Sequence, residues 1–537
     1  MMYLYLLNTR RNKMQQYEIF QLKLFGEEPA DNYVDVNLKA YFSQNGKTVC
    51  VKGFYTGEGR YCIRYLPLET GICNWQIETS IKFIEAEMNG SSYVEPAVAR
   101  NHGPVRTIQE HFQYDDGSVY LPFGTTVYAL LHQDKALVDQ TMETLKKAPF
   151  NKVRMCIFPK FFDFNRNEPE VYPFERSEGG KWNVRKPDFT FWNILDKRLE
   201  QLGEYGIEAD LILLHPYDCW GFMHLTPEEY KVYFDYVLRR LSAYPNIWWS
   251  LANEYDQFDS LKQEDWENFA AYIGKNDLYH HLLSNHNFVH PWDFSNPYTT
   301  HCCLQSADSV KIPVLLKRYG KPVIYDEMGY EGNIPYSWGN ISAFEMVNRF
   351  WKTFCMGGYA SHGETYMEKM DDDQILWWSK GGILKGESVL RIAFMRKIFE
   401  SMPQAPDLYH PESGIPFETQ DELKSLVAEG AKGIADNLVF KCMAKMQEDE
   451  FEYMKEFFTQ PILHCGDKVW LTYLGDACTI YTVMELPETK EFTVEVIDVW
   501  EMTRTIVNTK AKGRTEIILP GKPGIAVMAK ANDICED

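Results

Sequence analysis

Eight apolar runs alternate with amphipathic, helix-length stretches between residues 109 and 402, and this rhythm limits the fold more than any other feature of the chain. The runs are 119–128 (VYLPFGTTVY), 151–158 (NKVRMCIF), 207–215 (IEADLILLH), 246–254 (NIWWSLANE), 280–286 (HHLLSNH), 298–304 (YTTHCCL), 321–327 (KPVIYDE) and 357–364 (GGYASHGE). Strand-length apolar runs separated by helices describe a parallel sheet with crossover connections. The helices carry their own end signals. Thr226-Pro227-Glu228-Glu229 supplies an N-cap, a proline at the first helical position and a capping-box glutamate. Gly203 and Gly206 close the helix before the third run. An open doubly wound sheet would carry a glycine-rich phosphate loop after its first strand, and no G-x-G-x-x-G or G-x-x-x-x-G-K-[ST] occurs. The expected fold class is therefore α/β, a (β/α)8 TIM barrel over residues 109–402.

The flanks read differently. Residues 15–108 hold short alternating strands (34–42, 47–55, 60–67, 74–81) separated by Gly and Asn turns, the pattern of an N-terminal β-sandwich. Its aromatic residues Phe54, Tyr55, Tyr61, Tyr65 and Trp75 are expected to fill the sandwich core, with a sugar-stacking platform as the alternative. Residues 403–537 return to strands (467–475, 478–485, 491–500, 514–521, 524–531) and form a C-terminal antiparallel β-domain, with 418–432 as a surface helix or loop. Residues 1–14 read as a tail, and Met14 is an alternative start.

A formal charge of −21 opposes binding to nucleic-acid phosphates, which calls for clustered Lys and Arg, and is compatible with a neutral sugar. No stretch approaches the roughly 18 apolar residues of a membrane span. The apolar start Met1 to Leu7 is followed, not preceded, by Arg10, Arg11 and Lys13, so no export signal is read. Twelve scattered Cys without a C-x-x-C pair suit reduced thiols in a cytoplasmic protein, and adjacent Cys302 and Cys303 read as buried strand. An assembly of identical chains is compatible with these features.

In such a barrel the reactive groups sit at the carboxyl ends of the strands. The fourth run ends Asn253-Glu254 and the seventh ends Asp326-Glu327. Two carboxylates facing each other across a barrel mouth meet the needs of glycoside hydrolysis, and a gap of about 5 to 5.5 Å would select retention. Expected to line the same mouth are His215, Tyr217, His286, His301, His362 and Glu364 from other strand ends. Trp220, Trp292 and Trp338, in loops after the third, fifth and seventh runs, are expected to stack on sugar rings. No H-E-x-x-H occurs and His280-His281 lacks a carboxylate at ligand spacing, so neither metal nor cofactor is expected. No G-x-S-x-G nucleophile elbow is present.

PNIWWSLANEYD resembles the acid/base strand of glycoside hydrolase clan A, and KPVIYDEMGYEG is similar to that clan's nucleophile strand. The resemblance implies acid/base work for Glu254, attack by Glu327, and a hydrogen bond from Asn253 to the sugar 2-hydroxyl. It also implies that Arg154, in KVRMCIFP, holds the nucleophile ionised. His215 and His301 fit the clan loosely, whereas the eighth run ends in His362 and Glu364 where the clan has a Trp. GFYTGEGRYCIRYLPLETGICNW resembles the domain of unknown function 5060, and the remainder resembles candidate glycosidases carrying domains of unknown function 4038 and 5605.

The resulting expectation is a retaining β-glycoside hydrolase, exo-acting on small glycosides or plant oligosaccharides, with the pKa of Glu254 raised by the neighbouring carboxylate. The long loop Pro159 to Lys186 would wall off its pocket. An endo-acting β-glycanase and an inactive glycan-binding barrel are the alternatives.

Overall fold

The computed structural model describes residues 13–369, 376–409 and 415–533. Positions 1–12 of the expected tail lie outside the described residues, while Met14 already pairs with Val94 in a strand. Eight parallel strands make one sheet: β1 (Phe123–Thr126), β2 (Lys152–Cys156), β3 (Glu208–Leu214), β4 (Ile247–Ala252), β5 (Leu283–Ser284), β6 (Cys302–Gln305), β7 (Val323–Glu327) and β8 (Tyr359–His362). Their spatial order is β5-β4-β3-β2-β1-β8-β7-β6. The seam between β5 and β6 is bridged by Thr300 N donating to Leu283 O at 2.8 Å and by Ser284 Oγ donating to His301 O at 2.7 Å. The sheet is thus a nearly closed barrel. Every residue of β2, β3, β4, β7 and β8 is buried, as expected when helices cover the outer face of a parallel sheet.

Those helices are α1 (Lys135–Leu145), α2 (Phe189–Glu204), α3 (Pro227–Leu241), α4 (Gln263–Asn276), α5 (Lys311–Tyr319) and α6 (Ala343–Cys355). The capping box of α3 forms as read, with Glu229 N donating to Thr226 Oγ1 at 3.2 Å and Thr226 N donating to Glu229 Oε2 at 2.8 Å. Residues 285–301 pass from β5 to β6 as an irregular loop without a helix. Two strand boundaries also differ from expectation. Val119–Tyr120 pairs with His111–Tyr114 in a separate small sheet, and β6 starts only at Cys302.

The N-terminal sandwich has one sheet of five strands, Met14–Gln15, Leu38–Gln44, Lys47–Lys52, Gly71–Thr79 and Asn89–Glu95, and another of Phe20–Phe25, Phe54–Gly57 and Arg60–Tyr65. Phe54, Tyr55, Tyr61, Tyr65 and Trp75 are all buried, and Phe42 stacks on Tyr65 at 4.1 Å. Core filling, not a sugar platform, is their role. The C-terminal domain is a six-stranded antiparallel sheet from Asp407–Tyr409 to Ile525–Ala531, including an unanticipated outer strand at Thr503–Ala511, with a two-stranded sheet of Tyr481–Glu485 and Arg514–Ile518 packed on it. It docks on α6, where Tyr473 Oη donates to Asn348 Oδ1 at 2.9 Å and Lys352 pairs with Asp476 at 2.6 Å. Between its first two strands the polar stretch expected as helix or loop is a helix, Gln420–Ala428, followed by two more.

The sandwich is pinned to the barrel by a buried ion triad. Arg64, on sandwich strand Arg60–Tyr65, reaches both oxygens of Asp196 on α2, at 2.9 and 2.7 Å. Arg240 on α3 adds a contact of 2.7 Å to Asp196 Oδ2. Burial alone would raise the Asp196 carboxyl, but the two guanidiniums, Arg64 foremost, hold it below the usual range. A depressed carboxylate contributes stability at neutral pH, and that contribution is lost as pH falls through its folded-state value. Removing one partner of a buried pair leaves the others uncompensated, at a cost of about 3–5 kcal/mol. Asp196→Ala should therefore lower the melting temperature by several degrees in calorimetry at pH 7, with most of the difference from wild type gone at strongly acidic pH.

Candidate active site

The ends of β4 and β7 place two acids at the carboxyl rim of the barrel. Asn253 and Glu254 follow the last residue of β4, and Glu327 is the last residue of β7. Glu254 adopts a left-handed backbone with φ +54°, a conformation that costs an ordinary residue about 1–2 kcal/mol and is kept only where the surroundings enforce it. Here the enforcement is a set of hydrogen bonds. Tyr217 Oη donates to Glu254 Oε2, and Gln257 Nε2 donates to the same oxygen at 2.9 Å. With its amide nitrogen turned toward the acceptors, Gln305 on β6 donates to Glu254 Oε1 at 3.1 Å and to Asn287 O at 3.0 Å.

Arg154 on β2 ties Glu327 to Asn253, the residue before Glu254. Its Nη1 donates to Asn253 Oδ1 at 3.0 Å and to Glu327 Oε1 at 3.4 Å, and Tyr128 Oη donates to the same Asn253 oxygen at 3.0 Å. Asn253 Nδ2 is buried and has no partner among the described residues. One layer below, Lys152 Nζ lies 2.7 Å from Asp210 Oδ2 and 2.7 Å from Asp326 Oδ1. Ser361 Oγ and the Cys303 thiol also donate to Asp326, at 2.6 and 3.0 Å. Arg154 Nε comes within 3.9 Å of Asp210.

Burial and the local charge count together set the ionisation of the two rim acids. Lys152 and Arg154 are matched by Asp210 and Asp326, and Asp326 is held below the usual carboxylate range by these cations, Lys152 foremost, against the opposing effect of burial. Glu327 is a third acid for two cations. Burial raises its carboxyl to about 8, and the Tyr330 hydroxyl, which faces it outside ideal hydrogen-bond geometry, lowers it only in part. Arg154, expected to keep Glu327 ionised, stands 3.4 Å from its carboxylate and is shared with Asn253 and Asp210. Glu254 is also raised. The main cause is burial, not the second carboxylate as expected, and Lys160 and Tyr217 act in the opposite sense.

Four other expected residues stand at or behind the same rim. Tyr217 holds Glu254, and Trp338 stacks on Tyr336 at 5.7 Å and packs 5.1 Å from Trp378. His215 bonds Phe158 O through Nε2 at 3.1 Å, and burial lowers it to about 3. Neither ring nitrogen of buried His286 has a partner among the described residues, and burial keeps that ring neutral.

Five assignments change. His301 precedes β6, so it lies at the amino end of the barrel, packed against Phe112 at 5.7 Å and Trp248 at 5.5 Å. Ser361 points inward to Asp326, so strand alternation turns His362 outward, onto Phe150 at 4.9 Å. Glu364 accepts the amides of Lys385 and Gly386, at 2.6 and 2.8 Å. Trp292 is only 1% exposed and sits edge-on to Tyr255 in the core behind Glu254. Trp220 braces the long loop after β2, donating to Glu168 Oε2 at 2.9 Å and packing edge-on to Phe161.

Glu331, His362 and Glu364 together offer ligand atoms within 4.8 Å of one another, a set that could hold a metal ion. Their carboxylates are already engaged. Besides the amides on Glu364, Glu331 accepts Glu387 N at 2.8 Å, Ser388 N at 3.2 Å and Tyr366 Oη at 2.7 Å. Such bonding at the start of helix Ser388–Glu400 is that of a buried anionic cap.

The sequence reading missed Tyr128, Lys160, Gln257, Gln305, Tyr330 and Trp378. The pair Trp377-Trp378 follows the eighth run and was its visible signal: Trp378 lies 6.0 Å from Tyr128 and 5.8 Å from Tyr330, restoring an aromatic wall beside β8.

A barrel with acids at the ends of β4 and β7, an asparagine beside the first and an aromatic wall around them has the frame of a glycosidase. Comparisons agree. The model described as the apiosidase-like catalytic domain matches residues 107–406, domain of unknown function 5060 matches 13–80, and domain of unknown function 5605 matches 458–530. A crystal structure from Bacteroides vulgatus, described as a candidate glycoside hydrolase, is 32% identical with a TM-score of 0.81, over 97% of this chain and 100% of that one. A glycoside hydrolase family 5 structure from the same organism shares the fold at 12% identity and a TM-score of 0.58, over 81% of this chain and 95% of that one. No curated protein matches. The chain belongs to the apiosidase-like family, and it is a glycosidase.

The charge count makes a prediction. Asp210→Asn removes one anion that competes for Lys152 and Arg154, so Glu327 should ionise at lower pH. On an aryl glycoside cleaved by the wild type, the acidic limb of kcat/KM should move down; an unmoved or raised limb would contradict the shared-charge account.

Proposed function

We propose that this chain is a retaining β-glycosidase that removes a terminal sugar by double displacement. Glu327 attacks the anomeric carbon while Glu254 gives its proton to the departing glycosidic oxygen. The ionised Glu254 then takes a proton from water as that water attacks the glycosyl-enzyme, releasing the sugar and regenerating the Glu327 carboxylate. The observation that carries this reading is the guanidinium of Arg154, which holds Glu327 and the neighbour of Glu254 on one nitrogen. The free Nδ2 of Asn253 supports a contact with the sugar 2-hydroxyl.

Exo action is supported by the loop after β2. Its Phe162 meets Tyr217, Trp338 and Trp378 at 5.2 to 6.3 Å, and its Asp163 accepts from Tyr336 Oη at 3.1 Å. One loop thereby touches the loops after β3, β7 and β8 and closes one side of the mouth. Substrates are small glycosides or plant oligosaccharides, and the family description adds apiosides to the test set. A cytoplasmic setting is part of the proposal, supported by eleven free cysteines among the described residues.

A panel of 4-nitrophenyl glycosides tests the reading. Glu254→Ala and Glu327→Ala should each lose at least about 10²-fold in kcat on the substrate that the wild type cleaves. Proton NMR should show the β-anomer as the first product; an α-anomer first would rule out retention.

The pH profile follows from the raised acids. Rate requires Glu327 ionised, so it falls as pH drops through that residue's raised value. It also requires Glu254 protonated, so it falls again as pH rises through the raised value of Glu254. Both limbs therefore stand above the ordinary carboxylate range, and the maximum of kcat/KM should lie above it as well. A maximum near pH 4 would contradict the burial of both acids.

A further inference from the structure

Lys160, in the loop after β2, is 4% exposed. Its ammonium sits over the rings of Tyr128 at 3.5 Å, Tyr217 at 4.4 Å and Trp378 at 5.5 Å, a three-sided aromatic cage. Among the described residues it has no ion pair and no hydrogen-bond acceptor. A buried cation without a counterion is costly and calls for a nearby developing negative charge. Tyr217 connects it to one: the ring that carries the ammonium on its face donates its hydroxyl to Glu254 Oε2.

The other groups around Glu254 are committed elsewhere or uncharged. Arg154 serves Asn253, Glu327 and Asp210. Asp256 accepts the amides of Phe288, Val289 and His290, at 2.6, 2.7 and 2.7 Å. Gln257 and Gln305 bring amides, and Tyr330 brings a hydroxyl that faces Glu327.

We propose that Lys160 is a positioning residue for the acid/base step, its caged ammonium stabilising the carboxylate that Glu254 becomes when it gives up its proton. The inference rests on the acid/base role proposed for Glu254. Burial lowers the ammonium only to about 8, so the charge is present at neutral pH. In the first half of the reaction it eases proton release to the leaving oxygen. In the second it keeps Glu254 ionised to accept a proton from water.

The test uses Lys160→Met, Lys160→Arg and Tyr217→Phe in the full chain, with the 4-nitrophenyl glycoside cleaved by the wild type. Without the cation, Glu254 holds its proton to higher pH, so Lys160→Met should move the alkaline limb of kcat/KM up by about one pH unit. Its kcat should fall by at least about tenfold with KM changed less than about twofold, the signature of lost transition-state stabilisation. Lys160→Arg should bring the limb back toward the wild type. Tyr217→Phe keeps the ring and removes the hydroxyl, and should raise the limb too even if Lys160→Met folds poorly. A raised KM with unmoved limbs would make Lys160 a substrate contact and overturn the proposal. Glu254→Ala separates the two readings. If it loses turnover while the limbs of Lys160→Met and Tyr217→Phe stay put, the Lys160 proposal alone fails; if it keeps turnover, the acid/base reading fails and takes the proposal with it.

Discussion

The interior of this barrel is organised by two cations on one strand. Lys152 and Arg154 project from β2 into a space where β3, β7 and the end of β4 supply Asp210, Asp326, Glu327 and Asn253. Isolated charges at such depth would be prohibitive, so each must find a partner, and the carboxylates that serve them sit on other strands. The ion network thereby links β2 to β3, β7 and the end of β4 across the barrel. It also sets the chemistry, because the supply of positive charge stops one short of the number of acids, and Glu327 is left dependent on a shared guanidinium.

Burial gives the two rim acids their common property of retaining protons more tightly than exposed carboxyls. For Glu327 the cause is burial against divided compensation, and for Glu254 it is burial moderated by Tyr217 and Lys160. The surrounding architecture keeps the arrangement stiff. The sandwich is locked to α2 and α3 by Arg64, Asp196 and Arg240, and the C-terminal sheet is keyed to α6 through Tyr473 and Asp476. Loops after β2, β3, β7 and β8 interlock through Phe162, Tyr217, Trp338 and Trp378 above it.

Legibility in the sequence followed the range of the physics. Strand and helix periodicity is local, so the eight runs, the cap at Thr226 and the two flanking β-domains were readable. Boundaries set by neighbours were not: β6 begins after His301, and that single shift carries the histidine to the opposite end of the barrel. His362 fell on the outer face because strand alternation depends on register, which Ser361 and Asp326 fix together. Trp292 and Trp220, both in loops, turned out to be core and brace respectively, since loop sequence says little about which way a ring turns. Lys160 and Gln305 escaped notice because nothing local distinguishes a lysine in a cage or a glutamine beside an acid from the same residue on the surface.

By itself the sequence determined the barrel, its β-rich flanks and the two strand ends where an Asn-Glu pair and an Asp-Glu pair emerge, because these depend on the order of apolar and polar residues along the chain. Only the tertiary structure decided which side chains share the mouth, how many cations serve its acids and which rings enclose Lys160. Those are sums over residues far apart along the chain, and burial and charge compensation exist only once the chain has brought them together.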